Sequence, residues 1–100
     1  MGDTQSITKT KVNTAIKPPN MFKIIYMNDD ATTVEFVIES IVAIFNHSRS
    51  EAEALTMLVH EEGSAVVAIL PYEMAEQKGV EVITLARNNG FPLQIKIERE

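Results

Sequence analysis

Met21-Phe22-Lys23-Ile24-Ile25-Tyr26-Met27, then Asn28-Asp29-Asp30, then Thr32-Thr33-Val34-Glu35-Phe36-Val37-Ile38, is the stretch that decides the fold. β-branched and aromatic residues fill its first seven positions and a cluster of turn formers ends them, which predicts a strand over 21–27. Thr32, with Glu35 three residues later, supplies a capping-box pattern. Val34, Val37, Ile38, Ile41, Val42 and Phe45 then recur at spacings of three and four, so a helix with one buried stripe follows and ends at Asn46-His47-Ser48.

Downstream, Ser50-Glu51-Ala52-Glu53 is a second capping-box pattern. It opens a helix whose inward face is expected at Ala52, Leu55, Leu58 and Val59, with Gly63 as the left-handed residue that closes it. The two helices form a hairpin. Ala65-Val66-Val67-Ala68-Ile69-Leu70 is short, continuous and apolar, hence a buried strand, and Pro71 at a first helical position starts a third helix carrying Met74, Ala75, Val82, Ile83 and Ala86. Asn88-Asn89-Gly90 stops that helix, and Leu93-Gln94-Ile95-Lys96-Ile97-Glu98 alternates with a period of two, the mark of a strand with one wet face. The order β-α-α-β-α-β predicts an α+β sandwich: a three-stranded antiparallel sheet covered on one face by three helices.

Upstream, residues 1–17 are polar and without period and run into Lys17-Pro18-Pro19-Asn20, which reads as a flexible N-terminal tail before a domain over 18–100. At 3.3–3.6 Å per residue, such a tail extends roughly 55–60 Å. One hundred residues, 45% hydrophobic and 23% charged, suffice for one core. With no cysteine there is no disulfide framework, thiolate metal site or cysteine nucleophile. No apolar run reaches the roughly 18 residues that span a bilayer and the N-terminus has no apolar signal region, so a cytoplasmic protein is expected. Lys9, Lys11 and Lys17 against Asp3 leave residues 1–20 at +2, so the chain total of −5 leaves −7 on residues 21–100. A domain so acidic disfavours nucleic acid, whose phosphates call for a basic face, and favours cationic partners.

Three polar groups stand outside the packing pattern: Asn28-Asp29-Asp30 with Thr32, His60-Glu61-Glu62, and Glu73 to Lys78. By residue type alone the first can be a turn with a helix cap, the second a side chain that compensates a helix C-terminus, and the third a solvated helix face. Asp29, His60 and the Thr32 hydroxyl also make the minimum set for a small hydrolase, but no nucleophile elbow, glycine-rich phosphate cradle or metal-ligand spacing accompanies them.

Lys17-Pro18-Pro19, Asn28-Asp29-Asp30, Thr32, Glu35-Phe36-Val37, Met57-Leu58-Val59-His60-Glu61-Glu62-Gly63-Ser64-Ala65, Ala86-Arg87 and Pro92-Leu93 together resemble the ClpS family. The similarity runs from about Pro18 to Glu98. These are adaptors, not enzymes, that hand proteins with certain N-terminal residues (N-degrons) to a ClpA- or ClpC-type AAA+ unfoldase and the ClpP protease. The resemblance implies the fold shared with the C-terminal domain of the ribosomal stalk protein. It implies that Asn28, Asp29 (carboxylate or backbone) and His60, directly or through water, bind a substrate's α-amino group. Asp30, Thr32, Val34, Val37, Thr56, Val59 and Leu93 then line a pocket for the first side chain, with Leu, Phe, Tyr and Trp expected. Members commonly carry Met at the positions of Val34 and Thr56, so shorter residues here imply a wider pocket. Glu73 and Lys78 match positions that contact the unfoldase's N-terminal domain. No cofactor, metal or catalytic residue is implied, and a monomer is expected. A stalk-like interaction domain without a peptide pocket and the small hydrolase are the alternatives.

Overall fold

A computed structural model describes residues 19–100. The elements are β1 (Met21–Met27), α1 (Val34–Phe45), α2 (Arg49–Glu62), β2 (Ser64–Pro71), α3 (Tyr72–Asn88) and β3 (Gln94–Arg99). The strands form one antiparallel sheet in the order β2-β1-β3, and the element order is β-α-α-β-α-β, as the residue pattern predicts. The reading of residues 1–17 as a tail lies outside the described residues. No helix among the described residues is long and apolar enough to cross a membrane.

β1 is central because alternate side chains, Ile24 and Tyr26, are fully buried under the helices, while Lys23, Ile25 and Met27 face away. Ile41 and Val82 complete the contact from α1 and α3. α3 presents a narrow face of Ala75, Gly79, Val82 and Ala86. A Cβ on Gly79 would stand 2.9 Å from Ile95 Cδ1 and 3.2 Å from Ile97 Cδ1, so the missing side chain lets this helix lie close on β3. Arg87 then donates to the carbonyls of Phe91 and Leu93 at 2.8 and 2.9 Å and pins the loop that returns to the sheet.

Several local expectations are corrected. Thr33, not Thr32, caps α1, accepting from the Phe36 N–H at 3.1 Å, because the Thr32 hydroxyl is drawn back to Asp29. The capping box of α2 is Ser48 with Glu51 rather than Ser50 with Glu53, since Asn46 turns left-handed at the end of α1 and α2 begins at Arg49. Glu53 instead accepts from Arg49 at 3.2 Å, and the same guanidinium reaches Glu35 at 3.1 Å. The inward face of α2 is Ala52, Thr56 and Val59, with Leu55 packed against the core as expected, and this rotates Leu58 outward to 46% exposure. β2 is not a buried strand. It is an edge, and only one sheet face is helix-covered, so Val67 is buried whereas Val66 and Ile69 are exposed. Pro71 is the last strand residue rather than the first of α3, and Met74 is exposed.

β2 carries a bulge at Val67: Ile24 pairs with Ala68 but Ile25 with Val66. The extra residue turns its carbonyl to His47 Nε2 at 2.7 Å, and since a carbonyl only accepts, that nitrogen carries the proton. This bond ties the α1–α2 turn to the sheet. A second tie lies in the core, where Ser40 donates to the Val37 carbonyl at 2.9 Å and so must accept from the Tyr26 hydroxyl at 2.8 Å. Burial, eased in part by that bond, pushes the Tyr26 phenol well above its ordinary range.

This donor order predicts unequal costs. Ser40→Ala orphans a buried hydroxyl donor and should destabilise by about 1–3 kcal/mol, whereas Tyr26→Phe leaves Ser40 bonded to Val37 and should cost about 0.5–1.5 kcal/mol. Urea unfolding of the two variants reads the difference, and a larger loss for Tyr26→Phe would reverse the order.

Candidate functional site

At the end of β1 the chain leaves the sheet through Asn28-Asp29-Asp30, and the Asn28 N–H donates to the Gly63 carbonyl at 2.9 Å. Gly63 caps α2 at φ 91°, a conformation an L side chain resists, and its own N–H closes on the Val59 carbonyl at 3.0 Å. The last turn of α2, which carries His60, is thereby set beside the end of β1. α1 starts from the same turn and supplies Val34 and Val37.

A cavity of about 210 Å³ results, lined by Asn28, Asp29, Asp30, Thr32, Val34, Val37, Thr56, Val59 and His60. Nine of the ten expected amine-site and pocket positions therefore line one space, drawn from β1's end, α1 and α2. Leu93 does not line it. It is nearly fully buried and packs in the core cluster that contains Val37 and Val59. Glu73 and Lys78 are apart from the cavity, on α3: Glu73 is exposed, and Lys78 Nζ lies 4.0 Å from Glu81 Oε2.

Asp29 organises the rim. Its Oδ1 accepts from the N–H groups of Ala31 and Thr32 at 2.8 and 2.7 Å, and its Oδ2 accepts from the Thr32 hydroxyl at 2.7 Å. Desolvation pushes its carboxyl up, but the Thr32 and Ala31 hydrogen bonds and the positive charge of Arg87 outweigh it and hold the group below the ordinary carboxylate range. Asp29 is thus an ionised carboxylate held in a turn. Asp30 adds a second acid, and no lysine or arginine lines the cavity among the described residues. The space accordingly favours a cation.

The side of the cavity toward the helices is apolar. Val37 and Val59 are buried, and Val34, at the first position of α1, is 51% exposed at the mouth. Thr56 is buried at 3%, and its hydroxyl donates to the Ala52 carbonyl of its own helix at 2.7 Å, so it brings no free donor to a ligand. Asp29 makes no hydrogen bond to His60; its partners are Thr32 and Ala31, so the base–carboxylate pair of a triad is not formed. Among the described residues no group of three His, Cys, Asp or Glu side chains is placed to hold a metal ion. Nothing in the residue pattern marks Arg87 as a site element. Its bonds to the Phe91 and Leu93 carbonyls are local, but its bearing on Asp29 arises only in the folded chain.

Comparison with known proteins finds relatives over most of the chain. The family described as ATP-dependent Clp protease adaptor protein ClpS matches residues 17–96. The ATP-dependent Clp protease adapter protein ClpS of Treponema denticola is 45% identical over 84 residues, covering 84% of this chain and 82% of that protein. Its counterpart from Parvibaculum lavamentivorans is 39% identical over 94 residues, 94% of this chain and 84% of that one. Among solved structures, Agrobacterium tumefaciens ClpS2 bound to L-phenylalaninamide is similar with a TM-score of 0.80 at 36% identity, over 83% of this chain and 100% of that chain.

The hydrogen bonds to Asp29 predict its acid behaviour. Because its folded pKa lies below the unfolded value, it stabilises the fold above about pH 4 and that contribution is lost as pH falls through the folded value. Thr32→Val removes the hydroxyl donor, so the Asp29 pKa should rise and the acid-linked loss should shrink. A carboxyl NMR titration of both proteins measures this, and an unmoved Asp29 would show that the hydroxyl bond does not contribute.

Proposed function

The chain belongs to the ClpS family of Clp protease adaptors, which are not enzymes, and we propose that its cavity captures the first residue of a protein whose N-terminus marks it for degradation. The observation that carries this reading is the meeting of Asn28, Asp29, Asp30 and His60 with Val34, Val37 and Val59 in one space sized for a single residue. A free N-terminus titrates at about 7.7–8.0, so at neutral pH it is an ammonium with three donors and needs acceptors. The Asn28 amide oxygen, the neighbourhood of the Asp29 carboxylate and a ring nitrogen of His60 supply them. A bulky apolar first side chain enters beside Val34, Val37, Thr56 and Val59, over a floor backed by Leu93, and its burial contributes roughly 1.5–3 kcal/mol. The related ClpS2 structure, bound to an amino-acid amide with a free amine and an aromatic side chain, supports this ligand chemistry.

Docking is assigned to α3, where Glu73 and Lys78 offer both charges to the N-terminal domain of a ClpA- or ClpC-type unfoldase across a polar, transient interface. Residues 1–17, which lie outside the described residues, are assigned to delivery rather than to binding, and the site of action is the cytoplasm. Peptide binding and delivery are then separable functions.

Two experiments test these assignments. In a fluorescence-anisotropy panel that varies only the first residue, peptides starting with Leu, Phe, Tyr or Trp should bind. N-acetylation should weaken them at least a hundredfold, because the cation is lost and its acceptors are left unpaired. Affinity should fall above about pH 7.5, as the free amine loses the proton that the bound amine, held by its acceptors, keeps. Equal binding of free and acetylated peptides would refute the amine site. In a degradation assay with unfoldase and protease, charge reversal at Glu73 and Lys78 should weaken docking, whereas deleting residues 1–17 should leave peptide affinity unchanged and stop delivery. Normal degradation by the shortened chain would refute the assignment of that segment.

A further inference from the structure

A peptide whose amine sits at Asn28 must leave the cavity over the rim. Asn28 and Asp29 also border a second depression, of about 400 Å³, whose remaining lining is Met27, Pro92, Gln94, Ile95 and Lys96. The two spaces therefore adjoin at Asn28 and Asp29. An extended chain advances about 3.3–3.6 Å per residue, so it enters the second depression within a few positions of its terminus. Met27, Pro92 and Ile95 provide apolar contact there, and β3 pairs on one side only, with β1, which leaves its other edge available.

The charge in this depression is unlike that of the rest of the folded part. The other basic side chains are largely occupied: Arg49 with Glu35 and Glu53, Lys78 with Glu81, Arg87 with two backbone carbonyls, and Arg99 with Asn20. Lys23 and Lys96 have no ion pair among the described residues. Of the two, Lys96 lines the depression, exposed and opposite Ile25 on the open face of the sheet.

We propose that this depression receives the second to fourth residues of the bound peptide and that Lys96 selects an acidic side chain among them. The inference rests on the amine-site reading above and adds a specificity beyond the first residue. Asp29 and Asp30 at the rim repel an acidic residue, so Lys96 decides the sign of the preference. An exposed ion pair of this kind is worth roughly a two- to fivefold change in affinity.

The test uses the full chain and free-amine peptides that begin with Phe and carry Glu, Gln or Lys at position two, three or four. Glu should bind two- to fivefold better than Gln at one or more of these positions, and the advantage should fade as salt is raised. In Lys96→Gln the preference should reverse, because Asp29 and Asp30 are left unopposed, while the all-neutral peptide binds as before. Equal affinities for Glu and Gln in the parent protein, or a Glu preference that survives Lys96→Gln, would overturn the proposal. The acetylated control separates the two levels: if acetylated peptides still fail to bind, the amine site stands and only the Lys96 inference falls. If they bind as well as free ones, both fall.

Discussion

The hydrogen bond from the Asn28 N–H to the Gly63 carbonyl joins the end of the central strand to the end of α2, and the arrangement of the site follows from it. Met27 pairs with Ser64 immediately beside it, so the β1–β2 ladder begins where the helix has just closed. A glycine is needed at this joint because the chain passes from helix to strand through a left-handed residue, with no room for intervening loop. Val59 and His60 are held over the strand end as a consequence, although more than thirty residues separate Asn28 from His60 in the chain. The His47 bond to the bulge at Val67 fixes the other end of the same helix against β2, so α2 is tied to the sheet at both ends.

Within that frame the polar groups have separate duties. The Asp29 carboxylate holds the turn through Ala31 and Thr32 and keeps its charge beside the cavity, with Arg87 as a remote counter-charge. Thr56 contributes bulk but no free donor, since its hydroxyl is bonded within α2. Preformed acceptors next to an apolar wall suit a ligand that is cationic at one atom and apolar in its side chain. Little reorganisation is then required on binding, which favours affinity from a small contact area.

Arg87 connects the cavity to the returning chain. Its bonds to the Phe91 and Leu93 carbonyls hold the loop in place, Phe91 packs against Phe36 of α1 with ring centroids 5.0 Å apart and the rings tilted by 52°, and Leu93 joins the core with Val37 and Val59. The same loop carries Pro92 and leads into Gln94 and Lys96 of β3, which line the adjoining depression with Asn28. One arginine on α3 thus bears on the acid beside the cavity and on the position of the adjoining depression.

The sequence by itself determined the elements, because period and punctuation are local properties: a β-branched run ending in Asn-Asp-Asp, two amphipathic helices, a left-handed Gly63 and a final period of two each act within a few residues. The residues quoted for the family resemblance also named the cavity, since Asn28-Asp29-Asp30 and His60 form a pattern that periodicity leaves unexplained. The caps lie one or two residues from the positions the pattern predicts because Thr32 and Ser50 are chemically fit to cap, and the choice of Thr33 and Ser48 depends on where Asp29 and Asn46 direct the chain. Only the tertiary structure decided that β2 is an edge strand, that Ser40 is buried to accept from Tyr26, that Leu93 stands in the core rather than in the cavity lining, and that Lys96 and Asn28 line one depression. Each of these depends on which strand takes the centre of the sheet and which helix crosses it. Those choices are set by long-range packing, and alternating residues on a strand carry no record of the neighbour they will meet.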